Sequence, residues 1–363
     1  MLFIRLSIYI VWYNTKHHMW GLKMKEMTLN KKCRGDNPIK FLVMVTLALL
    51  MLANIAGAAP FAYITNMGSN TTSVIDIANN TVTATVPVGT SPWGVAVSPD
   101  GSKVYVANNG SNDISVINTT DNTVIATVPV GINPLGVSVN PTGTKVYVAN
   151  EGSNTVSVID TSNSTVIATV PVGVYPAGVA VNPTGTKVYV ASSAYMENVA
   201  YNSTVFVIDT ATNNVTATVT VGNGPAGVAV SPDGTKAYVS NLFSNTTSVI
   251  NTTDDTVIAT VPVGTGPWGV AVSSDGTKAY VANFFSNTTS VINTTDNTVI
   301  ATVPVGISPS GVAVSPDGTK VYVVNADGTV SIIDTTKNIV IAAVKVGNTP
   351  LVIGQFIGKG SAK

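Results

Sequence analysis

The sequence predicts an all-β fold: a seven-bladed β-propeller of four-stranded antiparallel blades, with the ring closed by its C-terminal strand. Three observations carry this expectation. A tetrad Tyr-hydrophobic-x-Asn/Ser recurs with its tyrosine at Tyr63, Tyr105, Tyr147, Tyr189, Tyr238, Tyr280 and Tyr322, at spacings of 42, 42, 42, 49, 42 and 42 residues. A second landmark, Gly-x-x-Pro, keeps step at Gly89, Gly131, Gly173, Gly222, Gly264, Gly306 and Gly347, so seven units follow from two counts. Aliphatic, Thr, Asn and Gly residues dominate and only 10% of residues are charged, which suits short strands joined by polar turns.

Each unit reads as four strands, as at 136–139, 146–149, 155–159 and 165–172, rich in Val, Ile and Thr and bounded by Gly, Pro, Asn or Asp. Between the first two strands lies Ser-Pro-Asp-Gly (98–101, 231–234, 315–318) or Asn-Pro-Thr-Gly (140–143, 182–185), both tight-turn sequences. Four strands in about 40 residues is the period of a propeller blade. The first strand alternates small residues with Val, fitting the crowded inner position, and later strands carry the bulkier Tyr, Ile and Val of a widening blade. The repeat opens at Tyr63 on a second-type strand and ends with 351–357 where a first-type strand is due. That last strand can therefore complete the first blade and leave no open edge.

Ahead of the propeller, expected over 60–358, the chain divides into an extension with a basic region (1–38) and a signal peptide or membrane anchor (39–58). Residues 41–56 form an uncharged apolar run after Lys40 and before Ala56-Gly57-Ala58, the layout of an export signal with cleavage after Ala58. The run is shorter than the roughly 20 residues of a spanning helix, although 39–59 could be stretched to serve as an uncleaved anchor. Either way the propeller is expected outside the membrane, extracellular or at the cell surface, with membrane contact only through this segment. A start at Met24 or Met27 would give a signal of conventional length.

Eight of the 18 basic residues precede the apolar run, as do both histidines, the cysteine and both arginines. From residue 59 onward there are 10 Lys against 16 Asp and Glu, a balance of −6. An acidic, arginine-free body argues against nucleic acid as a partner. Without His, Cys or Arg it also cannot build a Ser-His-Asp or Cys-His site, a histidine-ligated metal or an arginine clamp. No cofactor is expected. Carboxylate pairs could still act in acid/base work or hold calcium, but Asp100, Asp233, Asp275 and Asp317 recur in one hairpin turn and Asp76, Asp160, Asp209 and Asp334 at one strand end, as turn-forming residues do.

The tetrads Tyr-Val-Ala-Asn at 105–108, 147–150 and 280–283, with Pro-Val-Gly and Ser-Pro-Asp-Gly at fixed offsets, resemble the YVTN-repeat β-propellers of archaeal surface-layer proteins over about residues 60–357. The resemblance implies a seven-bladed propeller displayed at the cell surface and no shared catalytic set.

Breaks in the repeat point to a binding site. The 49-residue spacing holds a seven-residue insertion within 192–203 that carries Tyr195 and Tyr201. Equivalent loops of the next two blades hold Leu242-Phe243 and Phe284-Phe285, and the Gly-x-x-Pro loops on the same face carry Trp93, Tyr175 and Trp268. These aromatics read as a surface for cell-surface proteins or glycans, or alternatively as residues that pack against their own loops or cover the channel mouth. Sequons at Asn70, Asn118, Asn163, Asn202, Asn245, Asn251, Asn287 and Asn293 are candidate glycosylation sites, several within turns that favour Asn regardless. The leading expectation is a non-catalytic surface propeller for adhesion, envelope structure or ligand binding. A propeller enzyme of lactonase or quinoprotein type is the alternative, followed by single-stranded nucleic-acid binding.

Overall fold

A computed structural model describes residues 60–193 and 203–358. The signal region, Ala58, Tyr195, Tyr201 and Asn202 lie outside the described residues. Six four-stranded antiparallel sheets and one three-stranded sheet follow one another around a ring, each built in sequence order from inner to outer strand. Blade 3 illustrates the pattern, with strands Pro134–Val139, Lys145–Asn150, Thr155–Asp160 and Thr165–Pro171. These run up to two residues longer at either end than the expected 136–139 and 146–149, because the Pro and Lys that bound the runs still join the ladders.

The two sequence landmarks turn out to be halves of one joint between blades. Asn108, fully buried at the top of the second strand of blade 2, packs against Gly89 at the end of blade 1, where a Cβ would overlap its amide group. The same seating recurs at Gly131/Asn150, Gly222/Asn241, Gly264/Asn283, Gly306/Asn325 and Gly347/Asn66. Asn66, Asn108, Asn150, Asn283 and Asn325 each donate to a serine of the third strand, as Asn150 does to Ser157 at 2.9 Å, whereas the Asn241 amide is best satisfied with its Oδ1 accepting from Ser248. In blade 4 the asparagine is Ser192 and the serine is Phe206, whose ring fills the space against Gly173. One substitution compensates the other.

Around the channel a second set of glycines sets the spacing of the blades. A Cβ on Gly94, Gly136, Gly178, Gly227 or Gly269 would collide with the backbone carbonyl of the next inner strand. At the lower ends of the second strands Lys103, Lys145, Lys187, Lys236, Lys278 and Lys320 each donate from Nζ to a main-chain carbonyl of the following blade, at 2.5 to 3.2 Å. Six of the propeller's lysines are thus structural ties between blades.

The tetrad tyrosines are buried, and burial pushes the phenols of Tyr63, Tyr105, Tyr147, Tyr238 and Tyr280 up to about 12. Tyr322 donates to Asn80 Oδ1 at 3.0 Å, in the next blade's lower turn. In blade 5 that turn holds Asp255 instead, which receives both Tyr189 Oη (2.9 Å) and Lys187 Nζ (2.8 Å).

Closure joins the C-terminal segment to the three N-terminal strands, as expected, but not as a regular strand. Bridges Asn66–Pro350 and Ala62–Ile357 bracket three residues on one side and six on the other, so the segment bulges. Its position equivalent to the inner glycine is Val352, which is fully buried. A valine there cannot take the glycine path, and 352–355 instead turn toward the neighbouring blade, where Val95 N and Val97 N donate to the carbonyls of Ile353 and Gln355 at 3.2 Å each. Gly354, at φ +122°, makes this detour.

Candidate functional site

In every blade the residue before the proline of Gly-x-x-Pro sits in the left-handed region: Ser91, Asn133, Tyr175, Gly224, Gly266, Ser308 and Thr349. The kink raises each inter-blade loop on the upper face beside the loop between second and third strands. A side chain from that second loop then ties the kinked amide: Asn70 Oδ1 accepts from Ser91 (2.8 Å), Asn154 Oδ1 from Tyr175 (3.1 Å) and Asn245 Oδ1 from Gly266 (2.9 Å).

Blades 5 and 6 use glycine at the kink, and on those glycines lie Phe243 and Phe285, with ring atoms where a Cβ would be. Each phenylalanine ring thus lies against loop backbone. They are the exposed aromatic side chains among the described residues, at 45% and 59%. Blades 2 and 3 show the complement: Ser91 and Asn133 at the kink, with Gly110 and Gly152 in the loop where a Cβ would meet Thr90 and Ile132.

Toward the axis the rings form a row. Trp93 of blade 2 and Trp268 of blade 6 approach across the channel mouth at 6.0 Å and 42°, Trp268 meets Phe284 at 5.7 Å, and Phe284 meets Phe285 edge-on at 5.3 Å. Trp93, Trp268 and Phe284 form one cluster of half-buried rings, while Phe243 and Phe285 are exposed. Tyr175 is half-buried in the blade 4 loop at φ +52°. The opposite sector is polar, with Asn133 Nδ2 donating to Asn109 Oδ1 at 3.3 Å and Glu151 beginning the next loop, its carboxyl pushed above the usual range by burial. The pairing of Gly before Pro with Phe in the adjoining loop was readable from the repeat; the Trp93–Trp268 approach, from opposite sides of the ring, was not.

Below these rings lies a channel cavity of about 480 Å³, lined by Ala, Val, Ser, Pro and Gly of the inner strands and their turns and by Ile353, Gln355 and Ile357, with no ionisable side chain among the described residues of its wall. The recurrent aspartates are spent in their own turns. Asp100, Asp233 and Asp275 each accept a serine hydroxyl two residues back, at 2.5 to 2.6 Å, and these bonds hold their carboxyls below the usual range. Asp76, Asp160, Asp209 and Asp334 accept amides two residues on. Among the described residues no three His, Cys, Asp or Glu side chains converge on a metal position.

The sequon asparagines fall into two groups. Asn70, Asn245 and Asn287 are exposed on the upper loops with Oδ1 tied to a kinked amide. Asn118, Asn251 and Asn293 cap lower turns through Oδ1, and exposed Asn163 accepts from Thr165. A glycan would attach at Nδ2 and leave these acceptor contacts in place.

Residues 113–277 match the family described as the choice-of-anchor I domain. A chain of Kuenenia stuttgartiensis hydrazine synthase superimposes with a TM-score of 0.69 at 23% identity, covering 77% of this chain and 96% of that one, a likeness of fold. A 37-residue stretch is 62% identical to a PE-PGRS family protein of Mycobacterium tuberculosis; the match spans 10% of this chain and 8% of that protein.

Proposed function

We propose that this chain is an exported, cell-surface propeller that performs no catalysis and binds a glycan of the envelope, or of a neighbouring cell, through its upper face. The observation that carries the reading is the pair Phe243 and Phe285, each laid against a glycine of the inter-blade loop and 45% and 59% exposed. Sugar rings present C–H faces that stack on such platforms and hydroxyls that bond to amides and carboxylates like those of Asn109, Asn133 and Glu151. The match to a choice-of-anchor domain supports display at the surface, as does the resemblance to YVTN-repeat surface-layer propellers. The described residues of the channel wall, which include no ionisable side chain, support the non-catalytic reading.

Trp93 and Trp268 touch each other and border the platforms, so tryptophan emission reports occupancy. Titrating the full chain with neutral polysaccharide from source-cell envelopes should shift that emission, and Phe243→Ala/Phe285→Ala should weaken the response at least tenfold with the melting temperature little changed. An equal response from the double variant overturns the reading. A response to envelope proteins alone replaces the glycan with a protein partner.

A further inference from the structure

Six of the seven outer strands share one exposure pattern, open along their first three residues, and the blade 5 strand differs only in a half-buried Val257. Each also carries a register shift at the same place: Val158 pairs with Ala168 but Ile159 with Val166, so Ile167 is the extra residue. The equivalent bulged residues are Thr83, Ile125, Thr216, Ile258, Ile300 and Ile341. The isoleucines are 47% to 52% exposed, and flanking valines such as Val124, Val299 and Val340 add 37% to 38%. In blades 1 and 4 the position is threonine, whose hydroxyl reaches a carbonyl of its own blade, Val74 or Val207, at 3.3 Å. Two isoleucine arcs result, over blades 2–3 and 5–7, separated by blades 1 and 4, which expose a valine, Val82 or Val215, but no isoleucine at the bulge.

We propose that the rim arc of blades 5–7 is a self-association surface on which a second copy of this chain docks rim to rim. Charge selects the occupant. Among the described residues, 15 carboxylates face 8 lysines. Every carboxylate lies on an upper or lower loop or strand end, while the outer strands carry one charge in all, Lys345 at the end of the last. Two copies of the acidic propeller, which carries −6 from residue 59 onward in a chain of zero formal net charge, repel face to face and approach with least opposition at the rim. A bulge interrupts the free edge of an outer strand, so contact is through side chains rather than by strand addition. The arc exposes on the order of a few hundred Å² of apolar surface, above scattered exposure but below a standard interface, which makes a weak contact that strengthens when copies are crowded on one surface.

Sedimentation velocity of the full chain over a concentration series, beside Ile258→Thr/Ile300→Thr/Ile341→Thr, tests this. Threonine already occupies the bulge in blades 1 and 4, so the variant should keep its melting temperature while the association midpoint rises at least tenfold. A second measurement stands if that variant misfolds: with Cys33→Ser, Ile300→Cys should cross-link between copies and Thr265→Cys on the upper face should not. A monomeric parent, unchanged association in the triple variant, or equal cross-linking from both cysteines overturns the proposal.

Discussion

Tyr175 offers a quantitative test of whether strain is stored at the upper face. It occupies the left-handed kink at φ +52°, where equivalent blades use Ser, Asn, Gly and Thr. An L-residue other than glycine loses about 1–2 kcal/mol in this region, and asparagine less because its side chain satisfies local groups. Comparing Tyr175→Asn with Tyr175→Ala isolates the backbone, since both remove the ring and only one restores a residue suited to the kink. The asparagine variant should exceed the alanine variant by about 1 kcal/mol. With an unfolding entropy of about 2.1 cal/mol/K per residue over roughly 300 ordered residues, that is about 1.6 °C in melting temperature. The half-buried ring contributes about 1 kcal/mol of packing, which offsets the strain, so parent and Tyr175→Asn should melt within about 2 °C of each other. Differential scanning calorimetry reads both differences, and the tryptophan titration should show equal loss of binding in the two variants. If the alanine variant matches the asparagine variant in stability, the kink is unstrained and the tyrosine needs no functional explanation. If the parent exceeds both by more than about 3 kcal/mol, the ring is core and the binding role fails.

Gly136→Ala should destabilise by about 3 kcal/mol or prevent folding, because its methyl meets the Ala177 carbonyl of a neighbouring inner strand that cannot retreat; denaturant titration measures it. Alkali should unfold the ring cooperatively. The tetrad phenols are raised from 10.0 to about 12 by burial, so the folded state holds protons that the unfolded state releases. Their contribution is complete below pH 10 and is lost as pH rises through about 12. Tyrosinate absorbance and circular dichroism should change together in that window; tyrosines titrating near pH 10 in a folded ring would contradict the burial. Asp255→Asn, which installs the residue of the equivalent turns in blades 1, 2, 4, 6 and 7, breaks the Lys187 ion pair. Thermal unfolding should report a loss below about 1 kcal/mol, since that pair is partly exposed and Lys187 keeps the Thr252 carbonyl.

Blade number, strand order and closure were legible because each rests on a repeated local pattern, a tyrosine and a glycine copied seven times and an asparagine six, that must sit where it does for blades to meet. What was not legible arises between units distant in sequence or departing from the copy. Val352 for glycine is one changed residue in a short segment, yet it diverts the closing strand from its expected path onto blade 2. Phe206 looked like an ordinary strand aromatic, and its role appears only beside Ser192 and Gly173. For the candidate site, the loops were placed on the correct face because the alternation of strand directions dictates it. Which rings turn inward and which turn outward depended on the glycines beneath them. The bulged rim escaped notice because Thr-Val-Ile-Ala-Thr-Val reads as an unbroken strand, and nothing local in it marks an extra residue.

The seam joins groups nearly the whole propeller apart, as in the contact of Thr65 Oγ1 with the Leu351 carbonyl across 286 positions, while almost every other backbone pairing lies within a single blade. Blades can therefore form early from contacts between adjacent strands, whereas the seam waits until all seven are present and must close a loop the length of the ring. Contacts made after the rate-limiting barrier slow unfolding without speeding folding. The bulged segment, bonded to blade 1 at both ends and to blade 2 through Val95 and Val97, thus sets how long the assembled ring endures.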